Sequence, residues 1–415
     1  MPDDRSTLHT HRFTNGLTLV AERIPGLRSA AFNLSLPAGS ANDPAGREGA
    51  ATVLESYVYR GAGDRDARTL SDTLDALGVQ RAGGTDVEST GFGGACLGDD
   101  LHAVLAIYAD IVRRPHLRPE DLEAVRSGAL QELAALQDNP PGRVAAALWK
   151  SYFDGPHGRI PLGTREGLEA LDTANLRADF NRRYSPADAI LGVAGNIAWP
   201  RLKAKVKKLF GDWSGEPSTL PEPEMVEGTR VELIQEETNQ VQISLAYPAV
   251  PPGQPEVYTS LVALHVLDGG FSARLFTEVR EKRGLVYAVR ATRMAWKGHA
   301  AVRAYAGTTP ANAQETLDVI IGEIGKLARG VTQDEFTRAK TGLKSAIILQ
   351  GESSAARANS IVRDQYLLGR PRSLEEISEA IDRVTREDVD RHLALHQPSD
   401  FVVAVIGPQP VEVRA

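Results

Sequence analysis

Three features of the chain predict an α+β architecture of two similar domains: a pair of motifs repeated at nearly one offset, segments that alternate apolar and polar residues, and a break near the middle. "YSPADAILGVAGN" (184–196) matches "HQPSDFVVAVIGP" (396–408), with Pro186 opposite Pro398 at an offset of 212. "LRPEDLEAVRSGAL" (117–130) matches "VTQDEFTRAKTGLK" (331–344), with Gly128 opposite Gly342 at an offset of 214. Two matches at so similar a spacing point to an internal duplication. Between the copies lies "GEPSTLPEPEMVEGT" (215–229), with three prolines, four glutamates and no periodic pattern. Such a segment cannot build a core and reads as an extended linker, dividing an N-terminal domain (1–214) from a C-terminal one (230–415).

The elements follow in order. "NG" at 15–16 between "HRFT" and "LTLV" is a hairpin signal, because both residues tolerate the positive φ that a tight turn needs. In "AAFNLSL" (30–36), Ala30, Phe32, Leu34 and Leu36 face one way and Asn33 and Ser35 the other. "QVQISLAY" (240–247) repeats this with Val241, Ile243, Leu245 and Tyr247. Period 2 marks strands of a mainly antiparallel sheet with one covered face. Helices are expected over 47–60, 67–77, 99–113 and 119–137, and again over 255–268, 311–329, 332–350 and 374–396. In "LHAVLAIYADIV", for instance, Leu101, Leu105, Tyr108 and Val112 share one face at the 3.6 period. The expected fold is therefore an antiparallel sheet with helices packed on one face, built twice.

The bulk properties exclude several functions. The 415 residues carry a net charge of −7, which argues against nucleic acid or an anionic membrane as partner. The one cysteine, Cys96 in "GGACLGD", rules out an intrachain disulfide, fits a reducing compartment and reads as a buried small residue. "MPDDRSTLHTHRF" has no basic start followed by an apolar run, and no window approaches the ~18 apolar residues of a membrane span. Cytoplasm is the expected location. No G-x-S-x-G or Cys–His arrangement points to an autonomous hydrolase, and Gly269–Gly270 lacks the rest of a phosphate loop.

Two stretches carry chemistry. "GAATVLESYVYRG" (49–61) is an apolar helix face with one acid, Glu55, three residues after Thr52 and directly before Ser56. A metallopeptidase helix needs two histidines four apart, whose rings grip one Zn²⁺, and a glutamate that takes a proton from the bound water. "LDGGFSARLFTEVREKRGLVYAV" (267–289) predicts a helix from about Ser272 ending near Gly284, then a strand. Arg280 then leaves the last helical turn and Tyr287 the start of the strand, so both can face one space. Arginine offers a rigid fork of donors, and a phenol is a neutral donor suited to a developing oxyanion.

The stretch 46–78 resembles the active-site helix of the pitrilysin/insulinase family of zinc peptidases, whose motif reads H-x-x-E-H. Thr52 and Ser56 stand in the two histidine positions, and Glu55 keeps the general-base position. The family's third ligand, a glutamate about 76 residues past the second histidine, corresponds to Glu132 in "ALQELAALQDNP". Residues 267–289 resemble the family's second signature, in which an arginine and a tyrosine contact the substrate backbone. Arg280 and Tyr287 occupy those positions. Hydroxyls are poor zinc ligands, so the resemblance implies a chain with no metal of its own. In bacterial and processing-peptidase branches two subunits divide the work, which implies a partner with an intact H-x-x-E-H motif that binds zinc. It also implies an unfolded peptide as substrate, added as a strand near 81–90, although the glycines there loosen such a strand. A structural scaffold, as in inactive core subunits of a respiratory complex, is the alternative. The remaining histidines, His392 and His396 in "HLALH", His9 and His11, and His265 opposite Thr52, read as structural.

Overall fold

The computed structural model describes residues 6–414; the first five residues of the amino-terminal run read above for a leader lie outside the described residues. Two compact units result, and each draws on three segments of the chain. The first comprises 1–135, 159–222 and 350–372; the second comprises 136–158, 223–349 and 373–415.

The first unit is built on a six-stranded sheet. Its hairpin pairs Thr7–Arg12 with Thr18–Arg23, and Gly16 at φ +94° supplies the turn. Next come Ile190–Gly195, Ser29–Leu36, Thr90–Leu97 and, at the edge, Gln80–Thr85. Thr18–Arg23 runs parallel to Ile190–Gly195; the other neighbours are antiparallel. Phe32, Leu34 and Leu36 point into the main core with Val53, Leu54 and Tyr57, as the alternation predicts. The opposite face is covered by one helix, Ser354–Leu368, which brings Ala358, Ile361 and Val362 against Ala31, Val20 and Ile190. The helix lies so close that a Cβ on Gly192 would sit 2.3 Å from Val362 Cγ2.

The second unit repeats the plan with five strands in the order Arg230–Gln235, Val402–Gly407, Val241–Pro248, His299–Thr308 and Val286–Trp296. Arg230–Gln235 and Val402–Gly407 are parallel, the rest antiparallel. Val241, Ile243 and Leu245 enter its main core. Its second face is closed by Pro140–Tyr152, which packs Val144 and Leu148 against Ala246, Ala404 and Ile406. Helices thus bank mainly on one face of each sheet, and one further helix covers the other. That further helix comes from the opposite half of the sequence each time. The exchange is reciprocal, and one interaction marks it. Arg357 pairs with Glu22 in the first unit and Arg143 with Glu236 in the second, and both members differ by 214 residues.

Several boundaries differ from the sequence expectation. The helix expected over 47–60 spans Ala50–Tyr57, because Gly49 is left-handed at φ +102° and Asp43 accepts from the Gly49 and Ala51 amides. The helix expected over 374–396 is two, Leu374–Arg383 and Arg386–Leu395. Val384 is extended, and Thr385 and Asp388 form a capping box that starts the second. Within 215–229, Glu224–Met225 pairs with Phe153–Asp154 in the second unit, and Ser218 accepts from Asn42 at 3.0 Å in the first.

Candidate functional site

In the first unit, the helix Ala50–Tyr57 is set by its N-terminus. Asp43 caps it and pairs at 2.8 Å with Arg183, which is fully buried and also pairs with Asp179 at 2.6 Å. A side chain at Gly49 would strike Leu168 Cδ2 at 2.6 Å, so the chain enters the helix by one route. Val53, Leu54 and Tyr57 face the core, and the Tyr57 hydroxyl donates to the Arg118 carbonyl at 2.5 Å.

Thr52, Glu55 and Ser56 occupy the other side. The Thr52 hydroxyl donates to the Pro161 carbonyl at 2.6 Å, and the exposed Ser56 hydroxyl donates to Glu55 at 3.3 Å. Glu132 lies on Pro119–Ala135, which packs against this helix. Burial pushes the Glu55 carboxyl above its ordinary range; the Ser56 bond draws it back in part, and repulsion from Glu132 adds to the rise. The structure therefore brings the two carboxylates into electrostatic reach. Three phenols complete the surroundings. Burial first, then the Glu55 charge among other neighbours, raises Tyr59 and Tyr184, and it pushes Tyr108 up to about 12. The Tyr184 hydroxyl is buried with no hydrogen-bond partner among the described residues. Sequence reasoning placed Tyr108 in the core but did not connect these phenols with Glu55. Only Tyr59, four residues beyond Glu55, carried a usable signal.

The corresponding helix of the family that residues 46–78 resemble holds zinc, and the donor set of this chain does not fit that ion. Zinc selects imidazole, thiolate and carboxylate. One hydroxyl is committed to a backbone carbonyl and the other to Glu55. Among the described residues no group of three or more His, Cys, Asp or Glu side chains could hold a metal. His9 stacks on Trp199 at 4.9 Å while His11 meets Phe13 edge-on at 4.7 Å, so the two rings serve different contacts. His265 packs where a Cβ on Gly342 would lie 2.8 Å from its Nε2, a helix–helix contact. Cys96 is buried, and burial pushes its thiol up to about 11.

In the second unit, Arg280 lies in a wide helical turn of π type, Phe276–Glu281. Gly284 at φ +61° ends the segment as expected, and its amide donates to the Arg280 carbonyl at 2.9 Å. Tyr287 sits at a bulge at the start of the edge strand and is 81% exposed. The Arg280 guanidinium lies 4.9 Å from the Phe276 ring centre and 5.1 Å from that of Tyr287, both in cation–π range. The structure thus brings the two predicted residues together. Sequence reasoning missed Phe276 and Phe271; the latter is 80% exposed and meets Phe276 edge-on at 5.0 Å. The segment is fixed from below by Arg274, which grips Glu335 through two bonds of 2.7 and 3.0 Å.

Residues 18–164 match the insulinase family (peptidase family M16), and residues 170–343 match the family described as the peptidase M16 inactive domain. An uncharacterized zinc protease of Mycobacterium tuberculosis is 30% identical over 100% of this chain and 98% of its own length. Another from Streptomyces coelicolor is 29% identical over 97% of this chain and 90% of its own. The crystal structure of a peptidase M16 inactive domain from Pseudomonas fluorescens superposes with a TM-score of 0.89 at 20% identity, covering 98% of this chain and 100% of the other. Among the described residues no helix is long and apolar enough to cross a membrane.

Proposed function

This chain belongs to the insulinase family of peptidases, family M16, and on that premise we propose that it is the substrate-holding subunit of a two-chain metallopeptidase. The observation that carries the reading is a contrast. Arg280 and Tyr287 stand together at an exposed strand edge, 5.1 Å from guanidinium to ring centre, while hydroxyls occupy the two imidazole positions of the metal motif. The chain carries no cofactor, and zinc belongs to a homologous partner with an intact H-x-x-E-H motif.

The residues of this chain bind and orient. Arg280 donates to a peptide carbonyl from a planar fork, and its cation–π contacts with Phe276 and Tyr287 hold the guanidinium beside the two rings. Tyr287 donates from a neutral phenol. Together they hold an unfolded peptide in one register. The Gln80–Thr85 edge offers a strand for such a peptide to pair with, and Gly83 and Gly84 at φ +155° and +145° make it a yielding one. Net charge and the single cysteine favour a cytoplasmic role without nucleic acid.

The test is reconstitution with a homologous chain that carries the intact motif, using a fluorogenic unfolded peptide. Arg280→Ala and Tyr287→Phe should each lower kcat/KM about 100-fold, the scale for loss of one well-placed transition-state donor, without preventing assembly. Wild-type rates in both variants refute the clamp. Assembly without hydrolysis favours the scaffold. Stoichiometric zinc in the isolated chain would overturn the assignment of the metal to the partner.

A further inference from the structure

Among the described residues two aromatic side chains of the second unit stand exposed, Phe271 at 80% and Tyr287 at 81%. Tyr287 has a part in the clamp proposed above, and Phe271 has none. A single exposed apolar side chain is ordinary, but this one belongs to a continuous surface. Its ring meets Phe276 edge-on at 5.0 Å, the Arg280 guanidinium lies 4.9 Å from the Phe276 centre, and the Tyr287 ring follows at 5.1 Å.

The turn that carries Phe271 is tied at both ends. Before it, Asp268 closes the helix Val257–Asp268 and accepts from the Ala291 amide at 2.6 Å, on the strand that bears Tyr287. After it, Arg274 holds Glu335. Between the two, Gly270 takes φ +128°, a conformation that glycine adopts without strain. The duplication shows what is unusual here. At the offset that sets His265 opposite Thr52, Phe271 stands opposite Val58, which is fully buried. A core position of the first unit has become a ring in water in the second, on a turn anchored beside the clamp.

We propose that Phe271 sets the specificity of the clamp: it takes an aromatic side chain of the peptide, two or three residues from the carbonyl that Arg280 holds. The inference rests on the clamp reading of Arg280 and Tyr287. The position follows from distance. The two contacts of 5.0 and 4.9 Å put the Phe271 ring within about 10 Å of the guanidinium, and an extended peptide rises about 3.3 Å per residue. The class follows from chemistry. A phenyl edge and face pair well with a second ring, and the contact removes both from water. A lysine at that place meets the Arg280 charge. Glu278 pairs with Lys282 and Arg283, and among the described residues no carboxylate pairs with Arg280.

The test uses the full chain and a labelled, unfolded host peptide without other apolar residues, carrying one guest residue: Phe, Leu, Ala or Lys. Fluorescence anisotropy reads the affinity. The Phe guest should bind at least about 10-fold tighter than the Ala guest, with Leu between them and Lys weakest. Phe271→Ala, which removes an exposed ring, should keep the melting temperature and bring the Phe and Ala guests within about 2-fold of each other. Phe271→Tyr should keep the preference. Arg280→Ala should weaken every peptide, which separates holding from selecting. A Phe-to-Ala ratio that survives Phe271→Ala, while Arg280→Ala still weakens binding, overturns this inference and leaves the clamp standing. No binding of any peptide to the parent chain overturns both. If Phe271→Ala leaves the ratio intact and instead prevents assembly with the chain that carries the intact motif, the ring belongs to the subunit interface and the inference is wrong.

Discussion

Glu22→Gln should be far more damaging than Glu236→Gln, although duplication makes the two glutamates equivalent. Glu22 and its partner Arg357 are 1% and 2% exposed, with an Nε–Oε2 distance of 2.6 Å. Removing the carboxylate leaves a guanidinium buried and short of its counter-charge, with the Arg372 carbonyl at 3.0 Å among its remaining bonds. Breaking a buried pair from one side costs about 3–5 kcal/mol. The equivalent pair, Arg143 and Glu236, is 17% and 40% exposed, so water and salt screen it, and its loss should cost about 0–1 kcal/mol. For a unit of this size, each kcal/mol lowers the melting temperature by about 2–4 °C. Glu22→Gln should therefore melt about 6–20 °C lower and Glu236→Gln within about 4 °C of the parent, by calorimetry at neutral pH. Glu22→Leu with Arg357→Met should recover most of the loss, since the double variant buries no orphaned charge. Equal losses at the two sites would refute the argument, because the predicted gap rests on the difference in their burial.

Two further outcomes follow from the same physics. Arg274, with lesser help from Thr332, holds the Glu335 carboxyl at about 2, against an ordinary value of 4.5. A depressed acid contributes stability above its unfolded pKa and loses it as pH falls through the folded one. The second unit should thus lose stability between pH 4.5 and about 2, and Arg274→Met should flatten that part of an acid-titrated melting curve; an unchanged acid limb counts against the pairing. Residues 1–214 expressed alone should not melt cooperatively, because they lack Ser354–Leu368. Ile361 and Val362 alone contribute about 1.5–3 kcal/mol each, a large part of a typical net stability of about 5–15 kcal/mol. Adding a peptide spanning 350–372 should restore a transition, and a sharp melt without it would contradict the exchanged architecture.

The fold class was legible because it rests on local periodicity. Phe32, Leu34 and Leu36 on one side of a strand require one covered face whatever covers it. The Arg280–Tyr287 pair was legible for a similar reason: Gly284 ends the helix, and the chain reversal brings neighbours in sequence together. The Glu55 surroundings were not. Tyr108 and Tyr184 reach that carboxylate from separate elements, and no spacing in the chain encodes their approach. The break in 374–396 was written in Thr385 and Asp388, a capping pair that apolar periodicity alone overlooks.

By itself the sequence determined that there are two copies of one plan, which residues of each strand face a core, and that the metal motif has lost its imidazoles. Periodicity, offset and donor chemistry are properties of residues and their near neighbours. Only the tertiary structure decided that each copy is completed by a helix from the other. It also decided that the Glu22–Arg357 pair is buried while its twin is wet, and that Phe271 stands in water where its counterpart Val58 is buried. Those outcomes depend on which surfaces exclude water from one another, and that is settled between segments distant along the chain.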